Sequence, residues 1–180
     1  MKTQKRNSVA GALLLLPLAA CLTACGEDAE YNYSVPGTIC DTAIDSEALR
    51  ALLSPGDTIE AAPRDTDVET CEIRIDDELE IEITGHSPYE PEDPMDYART
   101  NEFEEPEEAD LIEGGTGAVW EHGALAGWPC RADLADSYNN VLAVIHVFSD
   151  HADGDDRRDL IADFARSYMA GLSEKLECDV

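Results

Sequence analysis

Residues 71–83 read Cys-Glu-Ile-Arg-Ile-Asp-Asp-Glu-Leu-Glu-Ile-Glu-Ile. Apolar side chains alternate with charged ones in Cys71–Ile75 and again in Leu79–Ile83, and Asp76-Asp77 stands between the two runs. Period-two alternation around a short polar pair predicts an antiparallel hairpin with one aliphatic face and one charged face. A single hairpin is not stable alone, so the aliphatic face needs a cover.

Toward the N-terminus, Asp45 stands where a helix cap belongs. Ile44 before it can staple to Leu49, and Pro55-Gly56 closes the segment, which predicts a helix from about Ser46 to Ser54. Toward the C-terminus, Pro88 to Glu113 holds many acids against the single basic residue Arg99, with Pro91, Pro94 and Pro106 interspersed. This reads as an exposed acidic excursion with a helical turn or two around Asp96–Thr100. Thr116–His122 comes next as a candidate strand, and the nearly continuous apolar run Val141–Phe148 predicts a strand covered on both faces. Leu160, Ile161, Phe164, Tyr168, Leu172 and Leu176 then form one stripe at helical spacing. Asp155, Asp156 and Asp159 near its start suit the positive end of the helix dipole. This final amphipathic helix is expected to dock on the sheet.

The first residues are of a different kind. Lys2, Lys5 and Arg6 precede an apolar run from Val9 to Ala20, which breaks at Pro17 and gives way to Gly26-Glu27-Asp28. This pattern marks a secretory signal, and the run falls short of the roughly 20 apolar residues that span a bilayer. Leu18-Ala19-Ala20-Cys21-Leu22-Thr23-Ala24-Cys25 resembles the lipobox of bacterial lipoproteins, in which the cysteine receives diacylglycerol. Both Cys21 and Cys25 fit the register. Parity favours Cys25, because cleavage before it leaves Cys40, Cys71, Cys130 and Cys178, an even set suited to an oxidising compartment. Two acyl chains give stable attachment where one is marginal. The expected organisation is therefore a signal at residues 1–24, an acidic tether at 25–36, and one domain at 37–180 carrying the excursion at 88–113.

Three of the 12 basic residues and none of the 40 acidic ones lie before Cys25, so the chain from Cys25 onward carries nine against forty. Such a surface argues against nucleic acid, whose binding rests on Lys and Arg at phosphates, and against adhesion to anionic headgroups through the protein itself. It fits a solvated, self-repelling surface suited to salt, or a reservoir for cations.

Four cysteines allow three pairings, and spacing alone does not select one. Proximity along the chain suggests Cys40 with Cys71 and Cys130 with Cys178. No Cys-x-x-Cys spacing supports a zinc set. The sequence carries Val35-Pro36-Gly37-Thr38-Ile39-Cys40 before a helix, and Thr70-Cys71 opens a strand. Gly115-Thr116-Gly117-Ala118-Val119 comes after these, and then Cys130, an apolar strand and a terminal helix closing at Cys178. Together with the lipobox, this order resembles the small, functionally uncharacterised lipoproteins of actinobacteria. The resemblance implies an α+β domain with an antiparallel sheet and flanking helices, two disulfides and no established activity. The acidic Pro88–Glu113 insert departs from it.

Chemistry is sparsely signalled. No Gly-x-Ser-x-Gly elbow is present, and no spacing of Ser, His and Asp selects a triad. Gly114-Gly115-Thr116-Gly117 lacks the Gly-Lys-Ser/Thr ending of a phosphate loop and reads as a turn into a strand. His86, His122, His146 and His151 form no zinc signature. The acids Asp150, Asp153, Asp155 and Asp156 around Gly154 superficially suggest a cation loop. Aligned as an EF-hand, however, they place Ser149, His151 and Leu160 where carboxylates belong, so an acidic turn that caps the last helix is the simpler reading. Trp120 and Trp128 could line a groove, but with so few aromatics they are expected in the core.

The sequence therefore predicts a noncatalytic lipoprotein on the extracytoplasmic face of the cell membrane, held by lipid at Cys25. It would need no cofactor, bind no nucleic acid, and bind a partner or small ligand not specified by any motif. An acidic cation-binding or salt-adapted envelope protein is the alternative, with an exported hydrolase third.

Overall fold

The computed structural model describes residues 30–64, 70–86, 92–130, 140–151 and 156–178. In chain order its elements are β1 (Thr38–Ile39), β2 (Thr42–Ala43), α1 (Ser46–Arg50), β3 (Ile59–Arg64), β4 (Thr70–Ile75), β5 (Glu78–His86), α2 (Pro94–Thr100), β6 (Glu107–Ala109), β7 (Thr116–Trp120), β8 (Gly123–Pro129), β9 (Asn140–Val147) and α3 (Arg157–Lys175). The signal segment, Cys21, Cys25, Asp153 and Asp155 fall outside the described residues, as does the opening of the acidic excursion.

The predicted hairpin is the β4–β5 pair. Its turn residues Asp76 and Asp77 both take left-handed backbone, φ 49° and 71°, the geometry whose twist matches the flanking strands. It sits inside a seven-stranded sheet of order β3-β4-β5-β9-β8-β7-β6, every neighbouring pair antiparallel. β9 is central and buried on both faces, as its apolar run requires. Val141, Ala143, Ile145 and Val147 face the main core with Ile161, Phe164, Ala165, Tyr168 and Met169 of α3. The alternate residues Leu142 and Val144 face a second cluster with Trp120, Leu125 and Ala98 of α2. The α+β class, the antiparallel sheet and the C-terminal helix are thus as the sequence predicts.

Two disulfides, Cys40–Cys71 and Cys130–Cys178, close loops of 31 and 48 residues. The first joins the β1–β2 hairpin to β4, and the second fastens the end of α3 to the segment after β8.

Four expectations need correction. The N-terminal helix is one short segment, Ser46–Arg50. Asp45 caps it by accepting from the Glu47 and Ala48 amides, but the Leu52 and Leu53 amides turn back to the Leu49 and Arg50 carbonyls, tightening the chain before Ser54. The acidic excursion is not merely exposed: α2 lies over the second face, β6 extends the sheet, and Phe103 stacks on Trp120 with ring centroids 4.3 Å apart. The tether does not run to Pro36. Tyr31 bridges Gly56, and the buried Tyr33 donates to the Ser54 carbonyl at 2.6 Å, so the chain is docked from Tyr31 onward. Finally, Asp156 occupies the position before α3 but makes no side-chain cap bond.

Candidate functional site

The sheet has two dissimilar ends. At one end lie the Asp76-Asp77 turn, the end of β9 and the start of α3. At the other lie Arg64, Thr116, Pro129, Asn140 and the end of α3.

At the first end a register shift between Ile73 and Arg74 makes Glu80 the extra residue of β5. Such a bulge re-aims a side chain, and here Glu80 is buried at 5% exposure. Its carboxylate accepts from the Ser54 amide at 3.2 Å and the Ser54 hydroxyl at 3.0 Å, and that hydroxyl lies 3.3 Å from the Ser149 hydroxyl. Ser149 also accepts from the His151 amide. The docked N-terminal segment covers this cluster: the Tyr31 hydroxyl meets His151 Nε2 and the Leu53 carbonyl, and the Arg50 guanidinium lies 4.3 Å over the Tyr31 ring. Burial pushes the Tyr33 hydroxyl pKa up to about 12, helped by Tyr31 and Glu80. Burial likewise raises that of Tyr31, with Arg50 acting against it. These phenols are hydrogen-bond donors and hold no charge at neutral pH. Among the described residues the partners of these serines are Glu80, each other and the His151 amide, contacts that fasten the segment after α1 to β5 and to the end of β9.

On the sheet face opposite α3, His146 of β9 packs edge-on against Phe103 and Trp120 and stacks with Phe148. Phe148 is an exposed large hydrophobic, at 53%. Burial lowers the His146 pKa, and the Glu82 carboxylate works in the opposite sense. Beside it, Arg64 joins Glu72 at 3.0 Å and Glu82 at 2.7 Å, and Arg74 joins Glu72 at 2.8 Å. The Arg74 hydrogen bond chiefly lowers the Glu72 pKa.

The remaining cations are also committed. Arg157 is buried, and its Nε donates to the Glu121 carbonyl at 2.7 Å. Arg158 pairs with Glu107, Arg99 with Asp96, Arg166 with Asp163, and Lys175 donates to the Cys40 carbonyl. Among the described residues, each basic side chain is therefore engaged by the protein itself, while many surface carboxylates carry no ion pair. The sequence sets the excess of acid, but not this use of each described cation as an internal fastener.

Of the sequence-derived candidates, the structure joins the four cysteines in two bonds and places Trp120 and Trp128 in the core. Asp150 and Asp156 are exposed, and among the described residues no group of three or more His, Cys, Asp or Glu could hold a metal. No described helix is long and apolar enough to cross a membrane. Missed by sequence reasoning were the Glu80 cluster, which depends on a bulge, and the grooves at the second end. One groove of about 670 Å³ runs between the Asp110–Glu113 segment and the C-terminal half of α3. No family model, curated protein or solved structure matches this chain.

Proposed function

We propose that this chain is an exported lipoprotein, cleaved before Cys25 and held by lipid on that cysteine at the extracytoplasmic face of the cell membrane. There it acts as a noncatalytic domain that binds a partner or small ligand. The observation that carries this reading is the pairing of all four later cysteines, Cys40 with Cys71 and Cys130 with Cys178. Such pairing suits an oxidising compartment and leaves Cys25 without a disulfide role.

The docking of Tyr31 adds geometry to that proposal. Five residues lie between Cys25 and Tyr31, and the six Cα-to-Cα steps reach about 20 Å at full extension, roughly half the reach of a tether running to Pro36. β9 alone, eight residues long, spans about 27 Å at 3.4 Å per residue. A lipid at Cys25 would therefore keep the Tyr31 end toward the bilayer, with the far end of the sheet turned away. The contacts of that far end would come from the aqueous side.

The alternative, an acidic envelope protein adapted to salt or to cations, is favoured by the commitment of each described basic side chain to internal partners. It differs in what the surface does, not in where the protein sits.

Membrane fractionation tests the location. Wild-type protein should sediment with membranes and dissolve only with detergent, and Cys25→Ser should appear in the soluble fraction or as unprocessed precursor. Wild-type protein that is soluble without detergent would contradict the anchor.

A further inference from the structure

The groove beside α3 has a definite chemical character. Leu111, Ile112 and Ala170 give it an apolar lining, while Asp110, Glu113 and Glu174 bring three carboxylates, none with an ion-pair partner among the described residues. Arg166 on the same wall is already held by the Asp163 carboxylate and the Asp110 carbonyl. Ser173 lines the groove from α3, and its hydroxyl is buried with no hydrogen-bond partner among the described residues, in a residue only 5% exposed. A buried polar group without a partner is uncommon in folded proteins and asks for an explanation, which a bound ligand supplies. The volume, about 670 Å³, lies within the range of small-molecule sites, which combine apolar walls with a few polar groups.

We propose that this groove binds a small organic cation, an ammonium on a short aliphatic chain. The proposal rests on the binding-protein reading above and gives that reading a ligand class. The methylenes lie over Leu111, Ile112 and Ala170, an ammonium lies in the field of the three carboxylates rather than in a closed ring of them, and the Ser173 hydroxyl turns toward the groove to accept an N–H of the ligand. An anion is disfavoured by the same carboxylates and by the net charge of −28. The shape and charge also suit a lysine side chain on a peptide, which shares this chemistry and is separated from the free amine in the test.

The test is a nuclear magnetic resonance titration of the disulfide-bonded chain in about 150 mM salt, where charges beyond roughly 8 Å are screened. The probes are 1,5-diaminopentane, pentane-1,5-diol and a lysine-containing tripeptide. The amides of Ala170 and Ser173 should shift with the diamine and not with the diol, and a weaker response to the tripeptide identifies the free amine as the ligand. Glu113→Gln and Glu174→Gln, both at exposed positions that leave folding intact, should each weaken the diamine by up to about fivefold. Ser173→Ala should weaken it by about three- to tenfold, whereas Asp57→Asn at the opposite end should leave it unchanged. Equal binding of the diol, equal loss in Asp57→Asn, or no shift at these amides would each overturn the proposal. The site lies within the folded domain, so failure of the lipid anchor leaves the titration standing. Failure of the titration leaves the anchor standing.

Discussion

The Glu80 carboxylate and Ser54 are joined twice, through the serine amide at 3.2 Å and its hydroxyl at 3.0 Å. The pair ties the segment after α1 to the bulge of β5, beneath the docked Tyr31–Tyr33 segment. Replacing Glu80 with Ala leaves the half-buried Ser54 amide without its acceptor, and an unpaired group in a fully buried site costs about 1–3 kcal/mol. Urea unfolding should show a loss toward the low end of that range, and Glu80→Gln, which keeps an acceptor, should recover part of it.

Arg157 serves a similar purpose at the start of α3. It is 2% exposed, and its guanidinium donates to the Glu121 carbonyl and the Val147 carbonyl, fastening the helix to the β7–β8 turn and the end of β9. A charged hydrogen bond is worth about 1.5–3 kcal/mol, so Arg157→Met should destabilise by at least that much. Arg99→Met, whose partner Asp96 is exposed, should be close to neutral.

Gly171 gives a prediction against simple helix propensity. In an exposed helix, Gly→Ala stabilises by roughly 1 kcal/mol. Here a Cβ would overlap the Ala43 carbonyl of β2, which packs on α3 at this point. Gly171→Ala should therefore lower the melting temperature, and an increase would mean that β2 does not approach the helix as described.

His146 sets a pH dependence. Its folded pKa lies below the ordinary 6.5 because burial disfavours the charged form. The unfolded chain therefore takes up a proton first as the pH falls. The contribution is fully present above about 6.5 and is lost as pH falls through the folded value. Unfolding free energies from pH 8 to pH 5 should decline through this window, and the His146-dependent part of the slope should vanish in His146→Gln.

How much of the fold could be read in advance varies by element. The β4–β5 hairpin, β9 and α3 announce themselves because each has a periodic apolar face, at period two, continuous and helical respectively. β8 does not: Gly-Ala-Leu-Ala-Gly-Trp-Pro has little strand propensity by composition. It forms because it lies between β7 and β9, with α3 against it, where small side chains are what the space admits. Gly123, for example, has no room for a Cβ beside the Ile145 carbonyl and the Trp120 ring. In the acidic stretch the helical turns of α2 are legible around Asp96–Thr100, but β6 and the docking of the segment are concealed, since its charges signal solvent while Ala98 and Phe103 supply the packing. The Glu80 cluster and the α3 groove are products of a bulge and of helix placement, neither of which has a local sequence pattern.

The lipid anchor stands or falls on the chain's first mature residue, which mass spectrometry of the N-terminal peptide from membrane-extracted protein identifies. The expected peptide begins at Cys25 and carries a diacylglyceryl thioether. A mature N-terminus elsewhere, or an unmodified Cys25 in membrane-bound protein, would contradict the anchor.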